Sequence, residues 1–301
     1  MDATQLPTVI GTVPMPRLMA VLNASPESFS GGVVDPATVV AVARGHLDAG
    51  AVILDIGGQS LRTDQPEIPV ADEIARSVPL IGACRAEFGA GGPDISVDTY
   101  RAPVAAAAVE AGATIVNDPS GLRDPSMVDV VRDTGVQVVL TYNRATPKVR
   151  LRAEQLADDP VEDGLASLTQ RLDVLVSAGV RPEQVLIDPG PDLGKSPAQT
   201  VQVLRALHRF RSLGRPLLLA LSRKDVIGAT LQQPPPGRAA GLDGVLAALD
   251  LGPDDIIRVH EPGVIRDFYT MRAVIAGDVD VADDLELPVH LRHVRVEPDT
   301  D

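Results

Sequence analysis

Residues 94–118 read DISVDTYRAPVAAAAVEAGATIVND, a short run from Asp94 to Thr99, an alanine-rich stretch from Pro103 to Ala111, and a second run from Thr114 to Asp118. Pro is tolerated at a helix start, where its missing N–H is not needed, and Gly suits the left-handed turn after a helix end. The stretch is therefore a strand, a helix and a second strand. A β–α–β unit of this kind implies two parallel strands with the helix packed outside them.

The same unit recurs in both directions. The other candidate strands are Leu18 to Asn23, Ala51 to Gly57, Gln137 to Asn143, Val185 to Gly190, Pro216 to Ser222 and Ile256 to His260. Helix-like segments lie between them: Pro36 to Ala49, Ala71 to Glu87, Asp163 to Ala178, Pro197 to Ser212 and Gly237 to Leu249. Ala-Gly pairs at Ala49-Gly50, Ala111-Gly112 and Ala178-Gly179 read as helix ends feeding a strand. Eight strands in strict alternation with helices predict an α/β fold, a single (β/α)8 TIM barrel over 1–278. A flat doubly wound sheet is the alternative, but its glycine-rich dinucleotide fingerprint is missing after the first strand, where Asn23-Ala24-Ser25-Pro26 stands. The acidic segment 279–301 reads as a loosely packed tail.

Composition agrees with a barrel. The 301 residues are 45% hydrophobic but only 2% aromatic, with no Trp, so the core must be packed from aliphatic layers. The formal net charge of −14 repels nucleic acid and anionic membranes. One cysteine, Cys84, leaves no disulfide framework or cysteine-based zinc site. With no secretion-like start and no apolar run long enough to span a bilayer, a cytoplasmic protein is expected.

In such barrels the active site forms at the carboxyl ends of the strands. Those ends carry Asn23, Asp55 with the nearby Arg62, Asp98, Asn117-Asp118, Asp188, Ser222-Arg223-Lys224 and Arg258-Val259-His260. Any one could be a helix cap or a turn residue. Asp55, Asp98 and Arg258, however, fall inside their strands, where a buried charge needs a partner or a ligand. Asp98, Asn117, Asp188 and Lys224 offer the acceptors and donors that complement an amino-pyrimidinone edge. Arg62, Arg258 and His260 are the expected anion grip. His46, His208, His290 and His293 carry no motif.

Taken in order, Met19-Ala20-Val21-Leu22-Asn23, Pro26-Glu27-Ser28-Phe29, Asp55-Ile56-Gly57-Gly58-Gln59-Ser60, Ser96-Val97-Asp98-Thr99, Val116-Asn117-Asp118, Asp188-Pro189-Gly190 with Gly194-Lys195, Ser222-Arg223-Lys224 and Arg258-Val259-His260 resemble the dihydropteroate synthase family. The resemblance implies a barrel, usually a homodimer, that joins a dihydropterin methyl diphosphate to 4-aminobenzoate with loss of diphosphate, assisted by Mg2+. It implies that Asp98, Asn117, Asp188 and Lys224 hold the pterin, that Asn23, Arg258 and His260 hold diphosphate and metal, and that Asp55 and Arg62 belong to the mobile loop region. Asp98, Lys224 and Arg258 would carry the chemistry, with Asn23 as the metal ligand. Mg2+ would be carried largely by phosphate oxygens and water.

The departures from the family pattern are concentrated. After the second strand, Gln59-Ser60-Leu61-Arg62-Thr63-Asp64 replaces Glu-Ser-Thr-Arg-Pro-Gly; Leu193 stands for Phe, Asp225 for Ser, and Leu140-Thr141-Tyr142-Asn143 lacks the usual His. Several of these positions are ones the family uses around 4-aminobenzoate. The open alternatives are a same-scaffold pterin transferase with another acceptor, a catalytically silent pterin-binding paralogue and, more distantly, a methyltetrahydrofolate-binding domain.

Overall fold

Alternation of side chains to opposite faces, the basic property of a strand, decides what this barrel buries on each side. The computed structural model describes residues 9–24, 35–288 and 291; the Pro26-Glu27-Ser28-Phe29 phrase, His290, His293 and the end of the chain lie outside the described residues. The strands are β1 (Val9–Ile10), β2 (Arg17–Asn23), β3 (Ile53–Gly57), β4 (Asp94–Asp98), β5 (Ile115–Asp118), β6 (Gln137–Thr141), β7 (Val185–Asp188), β8 (Leu218–Ala220), β9 (Ile256–Val259) and β10 (Asp280–Val281). The helices are α1 (Pro36–Asp48), α2 (Val70–Phe88), α3 (Ala102–Glu110), α4 (Pro125–Thr134), α5 (Pro160–Ser177), α6 (Pro197–Arg205), α7 (Leu207–Phe210), α8 (Asp225–Leu231), α9 (Ala239–Ala248) and α10 (Pro262–Ala276).

Strands β2 to β9 form one parallel sheet in the order β7-β6-β5-β4-β3-β2-β9-β8. A bridge between Ile187 and Leu217, with Ile187 N–H donating to the Pro216 carbonyl at 2.9 Å, brings β7 to β8 and closes the ring. The eight expected strands are all present, each within about two residues of its expected ends. The expected strand at Pro216 to Ser222 shortens most. Pro216 has no N–H to give the ladder, and only Leu218–Ala220 pairs regularly.

One face of the strands points into the barrel. Met19, Ile53, Ile115, Val139, Leu186, Leu218 and Ile256 make a separate apolar cluster there, a plug at the amino-terminal end. The opposite face, with Leu54, Ile56, Val97, Val116, Leu140, Ile187, Leu219 and Ile257, packs against the helices through Val39, Ile81, Val104, Val131, Leu168 and Val203. Aliphatic layers thus do the packing that aromatics would do elsewhere.

Four helices begin with a capping residue followed by Pro: Asp35-Pro36, Asp124-Pro125, Asp159-Pro160 and Ser196-Pro197, each cap accepting from backbone N–H groups of the first turn. Such a cap contributes on the order of 1 kcal/mol. The Asp159-Pro160 cap starts α5 three residues earlier than its apolar pattern, which begins at Asp163. The expected helix at Pro197 to Ser212 breaks at Ala206, whose N–H is shared between the Gln202 and Val203 carbonyls. The start of the expected loose tail is ordered: β10 pairs antiparallel with β1, and Val279 is buried. No described helix is long and apolar enough to cross a membrane.

Candidate active site

Two residues along from the apolar plug, the interior turns polar on most strands, with Val21 and Ala220 the apolar exceptions. Asp55, Asn117, Thr141, Asp188 and Arg258 follow Ile53, Ile115, Val139, Leu186 and Ile256, and Ser96 lies opposite Asp55 in the register. The next inward positions are Asn23, Gly57, Asp98, Ser222 and His260. Alternation alone therefore carries these side chains into one mouth, above a dry floor.

Arg258 organises this layer. Its Nε donates to Asp55 Oδ2 at 2.5 Å and its Nη2 to Asp98 Oδ2 at 2.6 Å, while Asn117 Nδ2 donates to Asp55 Oδ2 at 3.4 Å. Asp188 Oδ1 accepts the Gly190 N–H at 2.8 Å. Three buried atoms of the same layer, Asp55 Oδ1, Ser96 Oγ and Thr141 Oγ1, have no hydrogen-bond partner among the described residues. Leaving such a group unsatisfied costs about 1–3 kcal/mol, so the layer retains hydrogen-bonding capacity.

Burial raises Asp98 to about 7; Arg258 opposes that rise, and Asp55 and Glu73 reinforce it. Burial also raises Asp188, against the Gly190 N–H and Lys224. For Arg258, burial disfavours the charge, but Asp55 and Asp98 more than restore it and hold the guanidinium above its ordinary value. Lys224 precedes the first turn of α8, and its charge is felt by both Asp98 and Asp188.

His260, expected in the anion grip, sits in a site that disfavours its charge. Burial, with help from Arg223, Arg258 and His46, lowers it to about 3, so it is neutral at physiological pH. Its Nδ1 lies 2.9 Å from Ser222 Oγ. In this state it serves an anion as a neutral N–H donor. Arg258, likewise, is engaged with carboxylates and belongs to the polar floor.

Outside this mouth lies a cleft of about 540 Å3, walled by the β3–α2 loop, the β6–α5 loop and the β7–α6 loop. Arg62 sits here and not on the inner floor, with its Nε donating to Asp64 Oδ1 at 2.8 Å. Lys148 Nζ donates to the Ser60 carbonyl at 2.7 Å and ties two of these loops together. The replaced residues Leu61, Leu193 and Asp225 all line this one cleft. Asp225 does not cap α8 with its side chain. It occupies the first helical position, largely exposed, 3.1 Å from Arg238 Nη1.

Glu73, Ser96 and Thr141 went unrecognised as site residues in the sequence. Glu73 on α2 is buried, accepts from Thr99 Oγ1 at 2.7 Å and Arg101 Nη1 at 3.0 Å, and sits close enough to push Asp98 up. As an acidic residue in a first helical turn, it carries no local signal of burial. Ser96 could have been found, because Asp94-Ile95-Ser96-Val97-Asp98 alternates polar and apolar residues and places Ser96 on the face of Asp98.

The model of the pterin binding enzyme family matches residues 19–260. Dihydropteroate synthase of Bacillus subtilis is 36% identical over 267 residues, covering 86% of this chain and 90% of the relative. The Escherichia coli dihydropteroate synthase is 32% identical, covering 82% and 86%. Among solved structures, the Yersinia pestis dihydropteroate synthase with a sulfonamide drug complex superposes with a TM-score of 0.80 at 30% identity, covering 87% of this chain and 94% of that one. The Xanthomonas albilineans enzyme in complex with 7,8-dihydropteroate gives 0.75 at 34% identity, covering 88% and 95%. By the family match and these relatives, the chain belongs to the pterin binding enzymes, in the dihydropteroate synthase family.

Proposed function

We propose that this chain condenses a dihydropterin methyl diphosphate with 4-aminobenzoate, releasing diphosphate. The observation that carries the reading is the buried Asp55–Arg258–Asp98 network with Asn117 and Asp188 beside it, a floor of acceptors and donors matched to the edge of a pterin. In the reaction the methylene C–O bond breaks, the amine nitrogen forms the new C–N bond, and the nitrogen loses a proton. Positive charge develops on the pterin methylene as diphosphate leaves. Asp98 and Asp188 are placed to stabilise that charge from a low-dielectric site, where preorganised groups act most strongly. Lys224 is assigned to the pterin, Asn23 and His260 to diphosphate, and Arg62 to the loop that covers the cleft.

Mg2+ would enter with the substrate, carried by diphosphate and water, and an ion held in that way needs few protein ligands. Asn23, at the mouth end of β2, is the oxygen donor assigned to it. When bound, it would neutralise charge on the leaving group.

The acceptor is assigned to the outer cleft. Purified protein should release diphosphate from the pterin substrate only when 4-aminobenzoate is present; no release at high enzyme concentration rejects the reading. Asp225 weakens the fit of a benzoate carboxylate. Two like charges about 4 Å apart in water repel by about 1 kcal/mol, so D225S should lower KM for 4-aminobenzoate about fivefold with little change in kcat. Because Asp225 stands beside Leu61 and Leu193, a second reading is an uncharged aromatic amine as acceptor; 4-aminobenzamide outperforming 4-aminobenzoate would favour it.

A homodimer is also proposed. Val201, Leu204, Val226, Ile227, Leu231 and Val245 line an apolar groove of about 730 Å3 among α6, α8 and α9 that a second copy could cover. Sedimentation at micromolar concentration should read twice the chain mass, and a monomer would refute it. A single buried thiol supports a reducing, cytoplasmic setting.

A further inference from the structure

The proposed reaction gives no role to the Gly194-Lys195 pair. Lys195 Nζ donates to three backbone carbonyls: Tyr142 at 3.2 Å, Gly190 at 2.8 Å and Leu193 at 3.0 Å. It also lies 3.9 Å from the centroid of the Tyr142 ring. An ammonium has three donors, so all of them are used within the chain. Lys195 has none left for a substrate.

What those carbonyls belong to gives the arrangement its meaning. Tyr142 follows β6, and its N–H donates to the Asp188 carbonyl at 2.8 Å. Gly190 gives its N–H to the Asp188 carboxylate at 2.8 Å. It has a φ of +65°, and a Cβ there would stand 1.9 Å from the Tyr142 carbonyl oxygen. Leu193 is a wall of the outer cleft. Three carbonyl dipoles therefore converge on one point, an arrangement that repels itself unless a cation sits at its centre. That cation joins the segment holding Asp188 to the segment lining the cleft. Burial pushes Lys195 down to about 7, while Asp188 and the other nearby acids act to keep its proton.

We propose that Lys195 is a positioning residue: its ammonium clamps the Tyr142, Gly190 and Leu193 carbonyls, and through them orients the Asp188 carboxylate and the wall of the outer cleft for the two substrates. The functional part rests on the pterin reading above. The clamp itself does not.

The test exploits the fact that Lys195 borders the open cleft, so that a small amine can reach the space left by truncation. In K195A, affinity for a hydroxymethylpterin, read by calorimetry, should fall at least tenfold. Amide hydrogen exchange across residues 189–196 should speed up. Added propylammonium, which can donate three hydrogen bonds, should restore both; tetramethylammonium, which can donate none, should restore neither. Unchanged affinity and exchange in K195A, or equal rescue by the two cations, would overturn the proposal. If K195A does not fold, K195R decides, since a planar guanidinium keeps the charge but cannot direct donors at three converging carbonyls; wild-type affinity and exchange in K195R overturn the clamp. If the wild-type protein binds no pterin, the functional reading fails, while the exchange and rescue measurements still report on the clamp.

Discussion

Replacing Arg258 with Met is expected to destabilise the protein by roughly 3–5 kcal/mol, the typical effect of removing one partner from a buried ion pair. The loss is large because two carboxylates share this guanidinium, at 2.5 Å and 2.6 Å, and the substitution leaves both in the floor of the barrel. Chemical denaturation at neutral pH measures it as a lowered midpoint with an unchanged slope. The destabilisation should also depend on pH. A carboxyl whose folded pKa is raised, as at Asp98, adds stability below its ordinary value of 3.8, and that stability is lost as pH rises through about 7. Removing the opposing charge of Arg258 raises Asp98 further, so R258M should recover part of its stability on acidification. An unfolding free energy within about 1 kcal/mol of wild type at pH 7 would show that the ion pairs are not what holds this layer together.

The second large effect is expected at Asp98 itself. If its ionised form stabilises the developing positive charge, kcat/KM rises with pH with a midpoint near 7, because the raised carboxyl loses its proton there. D98N should abolish that rise and depress kcat/KM by a hundredfold or more, about 2.7 kcal/mol of lost transition-state stabilisation. A D98N profile with the same midpoint near pH 7 would assign the titration to another group. Asp188, also raised by burial, is the first to examine in that case.

The barrel was legible because alternation is local. Each strand announces itself in a few residues, and many helices in a cap, a proline or a closing glycine, but α4, α8 and α10 were not read from the sequence and α8 carries none of these signals. Asp55, Asp98 and Arg258 were legible as site residues for a related reason: charge inside an apolar run is anomalous wherever the run is buried. How they combine was not legible. Arg258 and Asp55 stand 203 positions apart and meet only because β9 and β3 both flank β2. The neutral state of His260, the burial of Glu73 and the lysine clamp likewise arise from several segments converging, which no spacing in the chain records. Arg62, read into the anion grip by its charge and into the mobile loop region by the family resemblance, lies on the β3–α2 loop in the outer cleft.

The apolar plug of Met19, Ile53, Ile115, Val139, Leu186, Leu218 and Ile256 has a consequence beyond packing. It is a slab of low polarisability directly beneath the charged layer, so the electric field of Asp55, Asp98, Asp188, Arg258 and Lys224 finds little to screen it below and is directed out of the mouth. A molecule entering from the open end meets that field with one fixed polarity, and charge shifting along the barrel axis during bond breaking is opposed or assisted according to its direction. The barrel thereby acts as an electrostatic lens as well as a scaffold.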